Sequence, residues 1–249
     1  MKILVCISNV PDTTTKIKFT ADGKQFDATG VQWIINPWDE LALTRALELK
    51  EASNGLIDNV TVINVGPKDT EITIRKGLAV GADNAVRIDA NPTDAFAVAS
   101  EMAKYLESHP FDLILAGIES SDYNGNAVGG ILAELLNVSH VSAVSGIDLK
   151  DGKFEITREI DGGKQILTVP APFVAVVQKG IAKEPRIASM RGVMAARTKP
   201  FETVPAANVA ALTEYVNFEL PQPKGKCKMI AADQIDELIH VLHQEIKAI

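Results

Sequence analysis

The residues best suited to chemistry lie between Gly117 and Gly130, in the run GIESSDYNGNAVGG, which is rich in Gly, Ser and Asn and leads into a helical segment. Gly125, Gly129 and Gly130 would let a ligand approach the backbone closely. Amides at the start of a helix favour an anion such as phosphate. Asn126 is placed to cap that helix and to offer side-chain donors. An ordinary flexible loop between strand and helix has the same composition, so both readings stand. Neither GxxxxGK[ST] nor a GxGxxG after the first strand is present, so a triphosphate loop and the usual dinucleotide fingerprint are not indicated. Acid–base chemistry finds less support. His109, His140, His240 and His243 have no carboxylate or cysteine at a recognisable spacing, and His240 with His243 reads as a solvated helix face before a metal pair. No nucleophile elbow or paired-carboxylate motif occurs. Cys6 and Cys227 lack metal-ligand spacing, and Cys6 reads as a small buried hydrophobe. Trp38 follows Asn36-Pro37 and would either stack on a ring system or fill the core. A binding or electron-carrying role fits better than catalysis.

The elements that would hold this loop alternate. Residues 2–8, 31–36, 60–65, 85–89, 112–117 and 173–178 read as strands, the last of them closing the core. Helices are predicted from Pro37, over 69–79 with Asp69 at the start and Gly81 beyond the end, from Pro92 to Leu106 with Thr93 or Asp94 as cap, and from Asn126 to Leu136. The stretch 16–26 alternates around Asp22-Gly23 as a hairpin. Residues 142–148, 154–160 and 165–169 read as a β ribbon turning at Asp151-Gly152 and Asp161-Gly162-Gly163. The fold class is α/β: a doubly wound, mainly parallel, Rossmann-like sheet resembling that of adenine-nucleotide hydrolases, with a β ribbon and an extended C-terminal arm ending in a helix. Two regions are expected. Residues 1–180 form the nucleotide-binding domain, including a ribbon at 145–169, and residues 181–249 form a loop, an arm and a helix over 231–247. That helix gathers Ile235, Leu238, Ile239, Leu242 and Ile246 into one stripe, so the tail either clasps a partner or wraps its own domain.

Composition sets bounds. The 249 residues are 46% hydrophobic and 23% charged, enough for a core, and the net charge of −7 argues against a general nucleic-acid binder. No apolar stretch reaches the ~20 residues needed to span a bilayer. The N-terminal MKILVCI reads as a strand, not a targeting segment, and two unpaired cysteines suit a reducing cytoplasm.

The run ITREIDGGKQILTVPAP, from Ile156 to Pro172, resembles the signature of the electron-transfer flavoprotein β subunits, with Arg158, Asp161, Gly162, Gly163, Gln165, Leu167 and Pro172 at its positions; Val174-Ala175-Val176 departs slightly. VPD from Val10, NPWDELA from Asn36, GADNAVRI from Gly81, the Gly117–Gly129 loop and EPRIASMRGVMAAR from Glu184 follow in the family's order along nearly the whole chain. The resemblance implies a heterodimer whose larger α subunit carries the redox FAD while this chain holds AMP. It further implies a carrier that would take electrons from acyl-CoA and related dehydrogenases and pass them to a quinone oxidoreductase. Carried over from the resemblance by position, AMP contacts would come from Cys6 through its backbone, Asn36, Pro37, Trp38, Asp39, Val65, Gly117, Asp122, Gly125, Asn126, Ala127 and Val128. Thr13 and Trp38 would approach the partner's flavin. Residues 184–197 resemble the loop that recognises dehydrogenases, which takes in Glu184, Pro185, Arg186, Met190, Arg191 and Arg197; Met190 would be its apolar anchor, and Arg191, Arg197 and Lys199 would steer acidic partners. That loop would otherwise pack only on the larger subunit.

Two alternatives remain. Some family members hold a second FAD in place of AMP and bifurcate electrons; Pro11-Asp12-Thr13 and Asp39 are compatible with that branch. Gly125-Asn126-Ala127-Val128 matches neither the DGDTAQVG-like run of that branch nor the NQTG-like run of AMP binders. The other alternative is a stand-alone regulatory module that binds an adenine nucleotide, which leaves the ribbon and arm unexplained.

Overall fold

The computed structural model describes residues 1–248. The apolar run at the N-terminus forms β1 (Lys2–Cys6), and the chain then makes a small antiparallel ladder of β2 (Asn9–Pro11) with β3 (Trp33–Ile35), apart from the main sheet. The segment expected as a hairpin over 16–26 has a single bridge, Phe19 to Phe26, around Gly23 with φ 66°. Its turn is longer than a two-residue connection and does not propagate strands. Pro37 opens α1 (Pro37–Ala52), where the missing proline N–H costs no helical bond.

The βα alternation follows: β4 (Asn59–Val65), α2 (Glu71–Val80), β5 (Asn84–Asp89), α3 (Ala95–Leu106), β6 (Leu113–Gly117) and α4 (Val128–Leu136). A 3-10 turn at Lys68–Thr70 precedes α2, so Asp69 lies outside the helix it was expected to start. Gly81 ends α2 at φ 151°, and a side chain there would also strike Leu47. Asp94 caps α3, accepting from the Ala97 amide at 2.7 Å. Asn126 does not cap α4: it sits in the left-handed region at φ 43°, and the helix starts two residues later.

Then come β7 (Ser139–Lys150), β8 (Lys153–Ile160), β9 (Gly163–Val169), β10 (Phe173–Val177), α5 (Met190–Ala195), β11 (Phe201–Pro205) and α6 (Ile235–His240), which runs into a π-helical stretch over Val241–Ile246. The Asp151-Gly152 turn has both φ positive, at 49° and 73°, as a tight hairpin requires. The strands form one sheet of nine in the order β11-β5-β4-β1-β6-β10-β7-β8-β9. The pairings from β11 through β7 are parallel, and β8 and β9 extend β7 antiparallel. The ribbon is thus a continuation of the main sheet.

One face of the sheet is covered by α1 and α2, through Leu43, Leu47, Ile74 and Leu78, and the other by α3 and α4, through Met102, Leu106 and Leu132. This is the doubly wound arrangement, which gathers loops beyond the carboxyl ends of the strands. Two expectations for the tail are corrected. β10 is not the last core-sheet strand, because β11 pairs with β5 at the far edge. The terminal helix starts at Ile235, four residues after the expected position. Residues 206–218 lie back against their own domain, whereas 219–240 are exposed apart from a half-buried Ile230.

Candidate functional site

A cleft of about 480 Å³ opens where β1, β4 and β6 end, within the ~300–1,000 Å³ typical of small-molecule sites. Its wall at one side is the Gly117–Val128 loop, and at the other the loop between β5 and α3.

Two buried side chains from the first turn of α1 and the residue before it build the floor. The Asp39 carboxylate accepts from the Ser8 amide at 2.8 Å and from the Gly117 amide at 3.0 Å, tying the ends of β1 and β6 together. Asn36 donates to the Glu119 carbonyl at 2.8 Å and accepts from the Ser121 amide at 3.1 Å, which fixes the start of the glycine loop. Any side chain on Gly117 would collide with Asp39, so glycine is required there. Burial pushes the Asp39 carboxyl up to about 7, against hydrogen bonds from Ser8, Asn36 and Gly117 that pull it down. Burial, and the charge of Asp39 after it, push the Cys6 thiol far above its usual range, and its Sγ lies 3.7 Å from Met102 Sδ. Cys6 is therefore not a nucleophile.

Of the residues expected at a nucleotide, Cys6, Asn36, Asp39, Val65, Gly117, Asp122, Gly125, Asn126, Ala127 and Val128 come together around this cleft. Pro37 and Trp38 do not line it; Trp38 packs beside Gly117 instead. Trp33, on β3, takes the lining position. Thr13 is exposed just beyond β2 and does not line the cleft. The glycines divide their roles. Gly125 has open space around it, but a side chain on Gly129 would strike Val176, so that glycine lets α4 pack on β10.

The first turn of α4 has no side-chain cap. Its N-cap residue, Ala127, has no side-chain oxygen, and both Ala127 and Val128 face the cleft. No lysine or arginine lines the cleft, whereas Asp39, Asp69, Asp94, Glu119 and Asp122 do. An anion here would rest on main-chain amides, and a triphosphate would meet too much negative charge. A mononucleotide fits these residues. Tyr123 and Tyr215 also line the cleft and were not singled out from sequence. Tyr123 lay inside the glycine-rich run, but Tyr215 is far along the chain with nothing local to mark it.

The 184–197 segment lies elsewhere, against α1 and α2. Arg186 makes a two-pronged pair with Glu51 at 2.7 and 2.9 Å, and its amide donates to Thr44 Oγ1 at 2.9 Å. Glu184, Pro185, Arg191 and Arg197 are exposed, and Ile187 and Met190 are 90% and 81% exposed. Lys199 is not free to steer a partner. Its Nζ donates to the carbonyls of Leu78, Gly81 and Ala82 at 3.0, 3.3 and 2.6 Å, completing the C-terminus of α2. Between this segment and α2 runs an apolar groove of about 660 Å³.

Among the described residues no group of three or more His, Cys, Asp or Glu could hold a metal ion, and no helix is long and apolar enough to cross a membrane.

The family model for the electron transfer flavoprotein domain matches residues 24–209. The chain is 36% identical to the electron transfer flavoprotein subunit beta of Syntrophomonas wolfei, over 90% of this chain and 88% of that one. It is 32% identical to the subunit of the same name from Bradyrhizobium diazoefficiens, over 98% of both. The Homo sapiens subunit is 31% identical over 82% of this chain and 81% of its own.

Proposed function

The chain belongs to the electron transfer flavoprotein family, as a β subunit, and from that premise we propose that it holds AMP in the cleft at the ends of β1, β4 and β6 and docks a larger subunit that bears FAD. The observation carrying this reading is the uncapped first turn of α4 opening into a cleft with no basic residue. Such a site suits one phosphate on main-chain amides. The adenosine would lie across the strand ends, near Val65 and the Cys6 backbone, with Asp122 and Asn126 at the loop side. Asn36 and Asp39 hold the loop in shape, since their polar atoms are already engaged.

FAD on the larger subunit supplies the redox chemistry. This chain keeps geometry and recognition. The exposed Met190 and Ile187, with Arg191 and Arg197 nearby, form a surface suited to acyl-CoA and related dehydrogenases. The exposed stripe of Ile235, Leu238, Ile239 and Ile246 suits the larger subunit. Electrons would then pass to a quinone oxidoreductase. On this reading residues 1–180 are the nucleotide-binding part and 181–249 the recognition and clasping part, with β11 returned to the sheet.

Co-expression with a candidate larger subunit, followed by extraction and identification of nucleotides, tests the reading. One FAD and one AMP per heterodimer is expected. Two FAD and no AMP would replace AMP with a second flavin. A colourless homodimer without affinity for a flavoprotein would leave a stand-alone regulatory module.

A further inference from the structure

The chain after β11 does not leave the domain directly. It is strapped across α3 by two carboxylates. Glu101, buried on α3, accepts from the amides of Ala207 at 2.7 Å and Val209 at 3.0 Å, so both its oxygens are taken by the arm. Asp94 uses one oxygen to cap α3 and the other to accept from the Leu212 and Thr213 amides at 2.7 and 2.9 Å and from Thr213 Oγ1 at 3.2 Å. Hydrogen bonds from amides to an ionised carboxylate are among the stronger ones. Asp94 is itself a lining residue of the nucleotide cleft.

Two residues beyond this strap, Tyr215 reaches the mouth of that cleft. Its ring lies 5.5 Å from that of Tyr123 on the glycine loop and 5.3 Å from that of Phe218. Phe218 in turn stacks on Phe19 at 5.3 Å, and its amide donates to the Gly23 carbonyl at 2.7 Å. Tyr215 is thus held from both directions along the chain, yet 45% of its surface remains open. A ring fixed at a cleft mouth with surface to spare is suited to lie against a flat heterocycle.

We propose that the C-terminal arm completes the nucleotide site, with Tyr215, paired with Tyr123, covering the bound adenine nucleotide. This rests on the nucleotide reading above. The arm is the lid of the cleft as well as the tether of the exposed tail. Ligand and arm therefore stabilise one another, because a ligand that touches the seated arm favours seating by its differential affinity.

The test uses the full chain in complex with its larger subunit, stripped of nucleotide and titrated with AMP by calorimetry. Tyr215→Ala weakens AMP binding by about tenfold or more, the scale of one lost aromatic stack on a base. Tyr215→Phe retains affinity. Glu101→Gln, which loosens the strap away from the cleft, gives a smaller loss. Val216→Ala, at a neighbouring residue that is 78% exposed, changes nothing. In the unaltered complex AMP slows proteolysis within residues 206–218, a readout that needs no variant to fold. An unaltered complex that binds no AMP overturns the nucleotide reading and this inference together. AMP bound equally by the unaltered chain and Tyr215→Ala, or arm cleavage indifferent to AMP, overturns the arm's role alone.

Discussion

Asp39 offers the sharpest quantitative test of how the site is built. Its carboxylate is buried while bridging the Ser8 and Gly117 amides, and burial outweighs those bonds, raising its pKa from 3.8 to about 7. A carboxyl with a folded pKa above its unfolded one holds its proton more tightly when folded. Its contribution to stability is complete below 3.8 and is lost as the pH rises through about 7. Between pH 5 and pH 8 the loss comes to about 2–3 kcal/mol, from roughly 1.4 kcal/mol per pKa unit and partial titration at each end. Asp39→Asn removes the titration but keeps shape and one acceptor. The informative quantity is the unfolding free energy of the unaltered chain minus that of the variant, measured by urea denaturation at several pH values. Other titrating groups cancel in that difference. It should fall by roughly 2–3 kcal/mol from pH 5 to pH 8. A flat difference over this window would mean that the folded pKa lies near or below 3.8, because the two amides or water outweigh burial, and would refute the reasoning.

Three further substitutions probe close approaches and caps. Gly192→Ala places a methyl group against the Ala79 carbonyl. It should lower stability by about 1–3 kcal/mol and lift α5 from α2, visible as faster amide exchange in 190–195. Gly129→Ala, blocked by Val176, should cost a similar ~1–3 kcal/mol in a thermal melt and weaken AMP binding by moving the first turn of α4. Lys199→Met leaves three carbonyls at the end of α2 without their donor. A loss of about 1–3 kcal/mol in chemical denaturation is expected; an unchanged midpoint would show that water replaces the ammonium.

The alternation of strands and helices is legible because each core strand is a short apolar run closed by Gly, Pro or Asn, and Asn36-Pro37 and Asp94 mark helix starts by their own chemistry. β11 is not legible. Its FETVP has largely exposed side chains, and it is a strand through its main-chain ladder with β5, which depends on the long-range return of the chain. Trp33 and Trp38 exchange places at the cleft for a similar reason. The facing of a residue on β3 is set by its ladder with β2, not by its neighbours in sequence. The glycine loop announces a site, yet which residues are free for a ligand depends on partners elsewhere. Asn36 and Asp39 spend their polar atoms on the scaffold, and Gly129 serves packing. The arm's attachment is invisible for a plainer reason: a carboxylate receiving main-chain amides leaves no mark on the residues that donate them.

β9 ends the sheet, and its outer row of N–H and C=O groups has no neighbouring strand among the described residues. Its seven residues carry one charge, Lys164, and Ile166 is 66% exposed. An open rim of this kind recruits any extended polypeptide that drifts past, including another molecule of itself. Overproduction of this polypeptide with that rim open should therefore yield clumping that begins at β9.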